Sequence, residues 1–478
     1  MFWWLIPVFA IVVFLGILLI RTLRFTPKPG PEVCPETVSF DKEKAVSDLQ
    51  ALVRCKTVSY RDASLEDDGE FQKLIGLLPT LYPNVFEKCT FTQLEDRALL
   101  FCWQGREEGE PAVVMAHYDV VPVEEAGWEK PPFEGILENG VLWGRGTLDT
   151  KVTMNGILFA VNHLIAQGFQ PEHTVYMAFS GGEEINGLGA SRIVDWFEAQ
   201  KITPAFVLDE GGAVVENVFP GVAAPCGLIG IGEKGMLNVR YQVKSSGGHA
   251  SAPKPGGPVD RLSKACCNIL AKPFPYHITP PVAAMFDTLG RHSSFVYRMI
   301  FANLWCFAPV LNLICKKSGG ELNALMRTTV AFTQMNGSKA ANVIPPCAEM
   351  VSNIRLNPKD TMDSALEYLR KAVGDQQVEI TKIDGMNPSR ISQVGGPGWD
   401  KVASSVASTW KGCLVSPYLM VQCSDSRHYG RISDRVYRFS AMDLTAEERS
   451  TIHGHNERIR VEAVARTVEF YIRLLGQC

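Results

Sequence analysis

Four short segments of this sequence place acidic side chains or a histidine directly after apolar or glycine-rich stretches. In chain order they are His117-Tyr-Asp119 after 111–116, Asp149 within 144–151, Glu183-Glu184 after 174–182, and Asp209-Glu210 after 205–208. Carboxylate oxygens and a few imidazole nitrogens, arriving from separate loops, are the ligands that a pair of catalytic zinc ions requires. The residue types therefore predict metal-assisted hydrolysis at a site that these segments build together.

Each segment also has a purely structural explanation when it is taken alone. Asp149 has the position of a helix N-cap, His117 can be a strand-end histidine, and Glu183-Glu184 can be a solvated pair on a loop. Their joint occurrence favours the metal, because carboxylates packed at one place repel each other and a dication is the simplest partner that stabilises them.

The elements that must position these residues are strands and crossover helices. Short apolar runs bounded by glycine and polar residues are typical of buried strands in an α/β sheet. Helix-like stretches at 154–167 and 190–200 lie between the runs, which predicts a mixed, largely parallel sheet with helices on both faces. Ligands of such sheets collect at the carboxyl ends of the strands, so we expect the acidic segments to converge on one edge.

Length and composition narrow the class of protein. A chain of 478 residues exceeds what one hydrophobic core usually supports, so two domains are expected. The formal charge of -4 gives no electrostatic basis for nucleic-acid binding. Motifs of serine hydrolases (GxSxG), single-zinc proteases (HExxH) and nucleotide-binding loops are absent from the sequence, and the thirteen cysteines form no CxxC pair from which a disulfide framework could be read.

The N-terminal segment differs from the rest of the chain. Residues 2–20 carry no charge and are long enough to span a bilayer, so residues 1–24 are predicted to be an uncleaved signal anchor, followed by a proline-rich tether at 25–38. Three basic residues between 21 and 28 favour a cytosolic body by the positive-inside rule. The sequon Asn336-Gly-Ser338 favours the opposite side, and the orientation stays open at this point.

Seven strings carry a resemblance to a known family. They are MAHYDVVP at 115–122, GWEKPPFEG at 127–135, GRGTLDTK at 144–151, SGGEE at 180–184, LDEGG at 208–212, GGHASAP at 247–253 and HGHNERI at 453–459. In this order the chain resembles the aminoacylase, carboxypeptidase and desuccinylase family of two-zinc peptidases. EKG at 233–235, RTTVAFT at 327–333 and NVIPP at 342–346 are similar to the branch that contains carboxypeptidase S and the N-fatty-acyl-amino-acid synthase/hydrolase.

The resemblance implies two zinc ions per subunit and a role for each residue of the site. His117 and Asp209 are expected to hold one zinc ion, Glu184 and His453 the other, and Asp149 both. Asp119 is expected to orient the His117 imidazole, and Glu183 to act as general base on a water molecule.

An inserted domain is expected between the two parts of the site. Catalytic segments at 39–233 and 386–478 would flank an α+β lid of the dimerisation type at 234–385. The resemblance implies that His249 of the lid stabilises the tetrahedral oxyanion, and that Asn342 and Arg355 hold the substrate carboxylate. In dimeric members this histidine acts across the interface, so a homodimer is one expectation. The family also implies a lumenal body, in the vacuole, lysosome or ER, or an extracellular one.

The function expected is cleavage or formation of an amide bond next to a free carboxylate. The favoured substrate is an N-(fatty-)acyl amino acid; the alternative is a peptide, as for carboxypeptidase S, and a membrane-tethered binding protein without turnover is a third reading. The apolar stretch 278–310 is either a core helix of the lid or a membrane-facing wall that receives an acyl chain. The segment 424–429 resembles a substrate-contact segment of the family.

Overall fold

The computed structural model describes residues 5–478, so the first four residues of the predicted anchor lie outside the described part of the chain. Its helices are α1 (Leu5–Arg24), α2 (Lys42–Val53), α3 (Asp68–Leu81), α4 (Pro83–Lys88), α5 (Lys151–Ala166), α6 (Gly189–Gln200), α7 (Pro258–Ala271), α8 (Pro280–His292), α9 (Phe295–Ala302), α10 (Leu304–Ser318), α11 (Gly320–Met326), α12 (Met362–Val373), α13 (Pro397–Thr409), α14 (Ala446–Thr451) and α15 (Val461–Leu475). Helix α1 is apolar and long enough to be a transmembrane span or a signal sequence.

The strands are β1 (Thr90–Leu94), β2 (Ala98–Trp103), β3 (Ala112–His117), β4 (Ile136–Glu138), β5 (Val141–Trp143), β6 (Val175–Ser180), β7 (Phe206–Val215), β8 (Cys226–Glu233), β9 (Gly235–Lys244), β10 (Gly248–His249), β11 (Thr329–Asn336), β12 (Val343–Ile344), β13 (Cys347–Leu356), β14 (Glu379–Met386), β15 (Leu414–Met420), β16 (Val436–Leu444) and β17 (Arg458–Arg460). Short 3-10 turns occur at Glu183–Ile185 and Asp425–Arg431, among other places.

The main sheet has eight strands in the order β1-β2-β6-β3-β7-β16-β8-β15. Strands β6, β3, β7 and β16 run parallel to one another, as do β8 and β15. The pairs β1 with β2, β2 with β6, and β16 with β8 are antiparallel. Side chains alternate between two cores: Val114 packs with α5 and α15 on one face, and Val113 packs with α6 on the other. The predicted α/β fold with helices on both faces is confirmed.

A second sheet follows the turn at Lys234. It contains four antiparallel strands in the order β11-β13-β9-β14, and α7 and α12 pack on it through a separate core. This α+β unit lies within the range predicted for the lid. The short ribbon of β10 and β12 projects from it and pairs His249 with Val343.

Helices α8 to α11 lie within the predicted lid range 234–385 but pack elsewhere. Phe286 and Met326 belong to one buried cluster with Leu228 and Met420 of the main sheet. Phe301 packs between Phe219 and Phe286, with ring centroids 4.6 and 5.2 Å away. Residues 280–326 are therefore attached to the catalytic sheet, and only the four-stranded unit forms a separate layer.

One buried carboxylate fixes the loop that carries Asp149. Glu457 accepts hydrogen bonds at Oε1 from the backbone N–H groups of Gly146, Leu148 and Asp149, at 3.1, 2.8 and 3.2 Å. Its Oε2 pairs with Arg145 Nη1 at 2.6 Å, and Arg145 also donates to the Gly454 carbonyl oxygen. The pair thus joins the Asp149 turn to the chain beside His453.

Replacing Glu457 by Gln should lower the free energy of unfolding by about 3 kcal/mol, because Arg145 is then buried without its counter-charge. Urea titration of the full chain measures this change. The control is Glu367→Gln, which removes an exposed partner of Lys371 and should change stability by less than about 0.5 kcal/mol. Equal losses in the two variants would contradict the role given to Glu457.

Candidate metal centre

The parallel strands end together at one edge of the sheet. His117 and Ser180 are the last residues of β3 and β6, and they lie opposite each other in the strand register. Glu183 and Glu184 follow β6 in a tight turn, and β7 brings Asp209 and Glu210 to the same edge. The convergence expected from the sequence pattern is what the structure shows.

Asp149 lies between the two histidines. Its Oδ1 is 2.9 Å from His117 Nε2, and its Oδ2 is 3.0 Å from His453 Nε2. His453 Nε2 is also 3.1 Å from Glu184 Oε2. His453 has a left-handed backbone with φ of 59°, which is uncommon for a residue with a Cβ. His455, the other histidine of this segment, lies instead beside Gly127.

Asp119 connects the first histidine to the acidic turn. His117 Nδ1 lies 3.0 Å from the Asp119 carbonyl oxygen and 3.3 Å from its Oδ1. The two carboxylate oxygens accept the backbone N–H groups of Glu183 and Glu184 at 3.1 and 3.2 Å. Asp119 therefore orients the ring, with Nε2 left to face the site, and also fixes the turn that presents both glutamates.

The Asp209 carboxylate, predicted to be a metal ligand, faces away from the cluster in the structure. Its Oδ2 accepts the backbone N–H of Ser426 at 2.9 Å, and the side chain is fully buried on that side. Glu210 instead approaches the site, with Oε1 3.5 Å from His117 Nε2. The physical reason is the strand pleat, since adjacent side chains of β7 point to opposite sides. Gly212 then lets β7 pass β8, because a Cβ there would lie 1.8 Å from the Leu228 carbonyl oxygen.

The charges of the cluster fit a cation. Burial raises the pKa of Glu210 to about 8, and burial together with neighbouring carboxylates raises the pKa of Glu183 well above its usual range. Hydrogen bonds to Asp149 and Glu184 raise the pKa of His453 to about 10. These groups compete for protons that a dication would replace.

Two sets of ligand atoms have the spacing of a metal site. Oxygen and nitrogen atoms of His117, Asp149 and Glu184 lie within 4.8 Å of one another, and so do those of His117, Glu183 and Glu210. Glu184 Oε1 is buried and has no hydrogen-bond partner among the described residues, so one carboxylate oxygen is left for a ligand. The donor set of carboxylates and imidazoles fits zinc.

A cavity of about 750 Å³ opens onto this cluster. Its polar end contains Asp149, Glu183, Glu184, Glu210 and His453. Its apolar wall is formed by side chains from β7, β8, β15, β16 and the segment before His453, and these include Leu228, Met420, Met442, Leu444 and Ile452. The site is therefore a charged end on a largely apolar chamber.

The three residues predicted in the lid lie apart from the cluster. His249 and Asn342 are exposed on the β10–β12 ribbon, where the Asn342 carbonyl oxygen accepts the Ala250 N–H at 3.0 Å and His249 Nδ1 accepts the Ser251 N–H at 3.1 Å. Arg355 of β13 is closer, since its Nη1 lies 3.5 Å from Sγ of Cys423, a residue of the cavity wall. The structure thus brings Arg355 to the chamber but leaves His249 and Asn342 facing solvent.

Comparison with known proteins decides the family. The family model "Peptidase family M20/M25/M40" matches residues 113–477. The chain belongs to this family. The N-fatty-acyl-amino acid synthase/hydrolase of Xenopus tropicalis is 32% identical to this M20 peptidase over 98% of the chain and 93% of its own length. "Probable carboxypeptidase S-like 2" of Dictyostelium discoideum is 31% identical over 96% of the chain and 92% of its own length.

The fold of a solved M20 peptidase agrees with this assignment. The M20 family metallo-carboxypeptidase of Sulfolobus solfataricus superposes with a TM-score of 0.67 at 18% identity, covering 91% of this chain and 98% of its own. The resemblance stated from the motifs is confirmed. The chain is a metallohydrolase of the M20 type that acts on amide bonds.

Sequence reasoning missed three residues of this M20 peptidase site. Glu210 belongs to the LDEGG string, in which the resemblance implies Asp209 as the ligand. The sequence does not reveal the phase of the strand pleat, which turns Glu210 toward His117. Arg145 and Glu457 occur within the strings GRGTLDTK and HGHNERI, but the resemblance gives neither residue a role of its own. These two oppositely charged residues carry no sequence signal that they pair, because they are 312 positions apart in the chain.

Replacing each of the two adjacent carboxylates of β7 by its amide distinguishes their roles. Glu210→Gln should lower the metal content of the purified full chain, because a carboxamide replaces a negative oxygen facing His117. Asp209→Asn should retain the metal, since Asn can still accept the Ser426 N–H. Elemental analysis after gel filtration measures both. Loss of metal in the Asp209 variant with full retention in the Glu210 variant would contradict the assignment.

Proposed function

We propose that this M20 peptidase is a two-zinc amidohydrolase whose substrates are N-(fatty-)acyl amino acids. The observation that carries the proposal is the chamber, in which the carboxylate and histidine cluster lies at one end and an apolar wall extends from it. An N-acyl amino acid has the matching chemistry, with an amide and a carboxylate at one end and a hydrocarbon chain at the other.

The proposed ligands divide into two pairs around one bridge. His117 and Glu210 would hold one zinc ion, Glu184 and His453 the other, and Asp149 both, which is supported by the contacts of both Asp149 oxygens. When bound, the zinc pair supplies a Lewis acid for the amide carbonyl and lowers the pKa of a water molecule.

Glu183 is proposed as the general base. Its carboxyl lies within 4.8 Å of ligand atoms of His117 and Glu210, and its backbone is fixed by Asp119. In this position it takes a proton from the attacking water and returns it to the leaving amine. Asp119 keeps the His117 Nδ1 proton on the side away from the reaction.

The substrate carboxylate is proposed to bind at the lid side of the chamber. Arg355 lies beside Cys423 in the chamber wall, and its guanidinium has two parallel donors for a carboxylate. Asn342 and His249 share the β10–β12 ribbon, so a movement that brings one of them to a chamber also brings the other. We propose that Asn342 assists Arg355 and that His249 donates to the developing oxyanion.

The exposure of His249 favours a homodimer in which this histidine reaches the active site of the other subunit. In a homodimer the ribbon of one subunit would enter the chamber of its partner. Mixing two inactive variants, His249→Ala and Glu183→Gln, under conditions of subunit exchange should restore about a quarter of the wild-type activity, since about half of the dimers are mixed and each mixed dimer has one intact site. A mixture as inactive as its components, with dimers present, would contradict action across subunits.

Two alternatives differ in substrate and in turnover. A carboxypeptidase of the S type would use the same metal chemistry on a peptide, and the similarity to a carboxypeptidase S-like relative favours it as second candidate. A binding protein without turnover requires a defective site, whereas the base and the metal-facing residues are present here.

The location proposed is a single-pass anchor through α1 with the body lumenal or extracellular. The apolar helix supports insertion, and the sequon Asn336-Gly-Ser338 favours the lumenal or extracellular side. Protease protection of the body in sealed vesicles tests this orientation; digestion from the cytosolic side would contradict it.

The substrate class is tested by release of free amino acid from N-acetyl, N-oleoyl and dipeptide substrates by the zinc-loaded full chain. We expect N-oleoyl substrates to give the highest kcat/KM, and Glu183→Gln to reduce turnover by at least about a hundredfold, because the base is lost. The variant should keep its metal. Preference for dipeptides would favour the carboxypeptidase, and turnover of none of them would favour the binding protein.

A further inference from the structure

An apolar surface extends from α1 onto the body of the protein. Helices α9 and α10 form a hairpin bent by 112°, whose two halves together are apolar enough to enter a membrane. Large apolar side chains stay exposed on the hairpin, namely Phe295, Val296, Tyr297, Trp305, Val310, Leu313 and Ile314. Between 295 and 315 the one charged residue is Arg298, which lies near the start of α9 over the Phe295 ring.

The hairpin contacts α1 through α9 and through the start of α10. The Trp305 ring meets the Phe14 ring edge-on, with centroids 5.8 Å apart. Below the hairpin, Lys28 pairs with Asp287 and Arg291 stacks on Phe25, so the chain leaving α1 is also attached to α8. A helix inserted in a bilayer would therefore carry the hairpin with it.

The polar groups at the break between α9 and α10 are paired within the protein and do not need water as a partner. The carbonyl oxygen of Ala302, left free where α9 ends, accepts from Arg21 Nε and Nη2 at 3.3 and 3.1 Å. Asn303 is fully buried and donates to the Leu18 carbonyl oxygen and to Thr22 Oγ1. Its Oδ1 accepts from Arg21 at 3.1 Å. Irregular backbone at membrane depth requires this internal pairing.

The depth of the hairpin follows from its contacts with α1. Phe14 lies seven residues before Arg21, which is about 10 Å along a helix axis. The hydrocarbon core of one leaflet is about 15 Å thick, half of the full core. With Arg21 near the headgroups, Trp305 would lie within a single leaflet. The side chains of Lys316 and Lys317, in the last turn of α10, can extend to the headgroups.

We propose that the α9–α10 hairpin lies in the lipid leaflet beside α1 and admits acyl chains from that leaflet toward the active-site chamber. The first half of this proposal rests on insertion of α1, and the second half deepens the proposed N-acyl amino acid hydrolysis. The bilayer is the occupant of the apolar surface, because the hairpin is continuous with a helix of membrane-spanning length and both its ends carry basic groups.

Two neighbouring cavities mark the route. A cavity of about 680 Å³ lies between the loop 217–223, Met285 of α8, Tyr297 of α9 and Leu322 of α11. Glu321 of α11 lines both this cavity and the active-site chamber. Tyr418 donates to Glu321 Oε1 at 2.8 Å at this boundary. The short helix α11 is thus the wall that separates the membrane-facing cavity from the metal cluster.

Contact with lipid is tested on the full chain in liposomes that contain a phosphatidylcholine with a diazirine in its acyl chain. After illumination, mass spectrometry locates the lipid adducts. We expect adducts in 5–24 and in 295–314, and at least about tenfold fewer at Leu65 and Val394, which are equally exposed apolar residues on the body. Adducts in 5–24 without any in 295–314 would overturn the hairpin's insertion, as expected if a second copy covered it. Adducts in neither would overturn the anchor as well.

Delivery of the acyl chain is tested separately with Trp305→Gln and Leu313→Gln, both exposed positions. In liposomes the double variant should lose roughly tenfold in kcat/KM on N-oleoyl amino acids, equivalent to about 1.4 kcal/mol, with no change on N-acetyl substrates. The matched control Leu65→Gln should leave both unchanged. Equal losses on the two substrates, or none on either, would overturn the route. If the wild type hydrolyses no N-oleoyl substrate, the proposed function fails while the adduct map still decides the insertion.

Discussion

Carboxylates that meet at one edge of the sheet repel each other, and the catalytic part of this protein is organised to keep them together. Asp149, Glu184 and Glu210 approach two imidazoles, with Glu183 beside them. Burial raises the pKa of Glu184 and raises that of Glu210 to about 8, so these two carboxylates favour added positive charge. Two devices oppose the repulsion: Asp119 fixes the glutamate turn through backbone N–H groups, and Glu457 fixes the Asp149 turn in the same manner. Both act on the backbone, so the side chains remain available to a ligand.

Much of the fold could be predicted because strand ends and acidic residues coincide in the sequence. The run into His117 is buried on both faces, and its partner β6 ends at the matching register position. The choice between Asp209 and Glu210 could not be made, because a shift of one residue in the pleat exchanges their directions and no pattern in LDEGG fixes it. In the structure the Ser426 N–H, 217 residues away in the chain, donates to Asp209, which supports the proposal that Glu210 is the ligand.

The inserted range shows a second limit of sequence reasoning. Alternating runs in β9 and β13 predict half-buried strands, and in the structure one face of their sheet is buried and the other is not. The apolar stretch after 278 is predicted to be either lid core or an exposed wall, and the structure divides it between the catalytic core and an exposed face. Phe301 packs in the catalytic core, whereas Trp305 faces outward and meets α1. Helical periodicity does not tell which of two apolar faces finds a protein partner and which meets solvent or lipid.

The anchor, the hairpin and the chamber form one continuous arrangement. Arg21 closes the end of α9, α9 reaches the cavity beside α11, and α11 borders the chamber of the metal cluster. A hydrolase of amphiphilic amides would gain from this order, because its substrates partition into membranes and their polar ends stay at the surface. On the lid side of the chamber, Arg355 lies near Cys423, where the proposed function places the charged end of the substrate.

The central claim is that the charge cluster holds a zinc pair, and anomalous diffraction at the zinc edge from crystals of the active full chain tests it most directly. The account predicts two peaks about 3.5–4 Å apart, with Asp149 between them, one beside His117 and Glu210 and the other beside His453 and Glu184. A single peak, or a peak coordinated by Asp209 with Glu210 turned away, would contradict it.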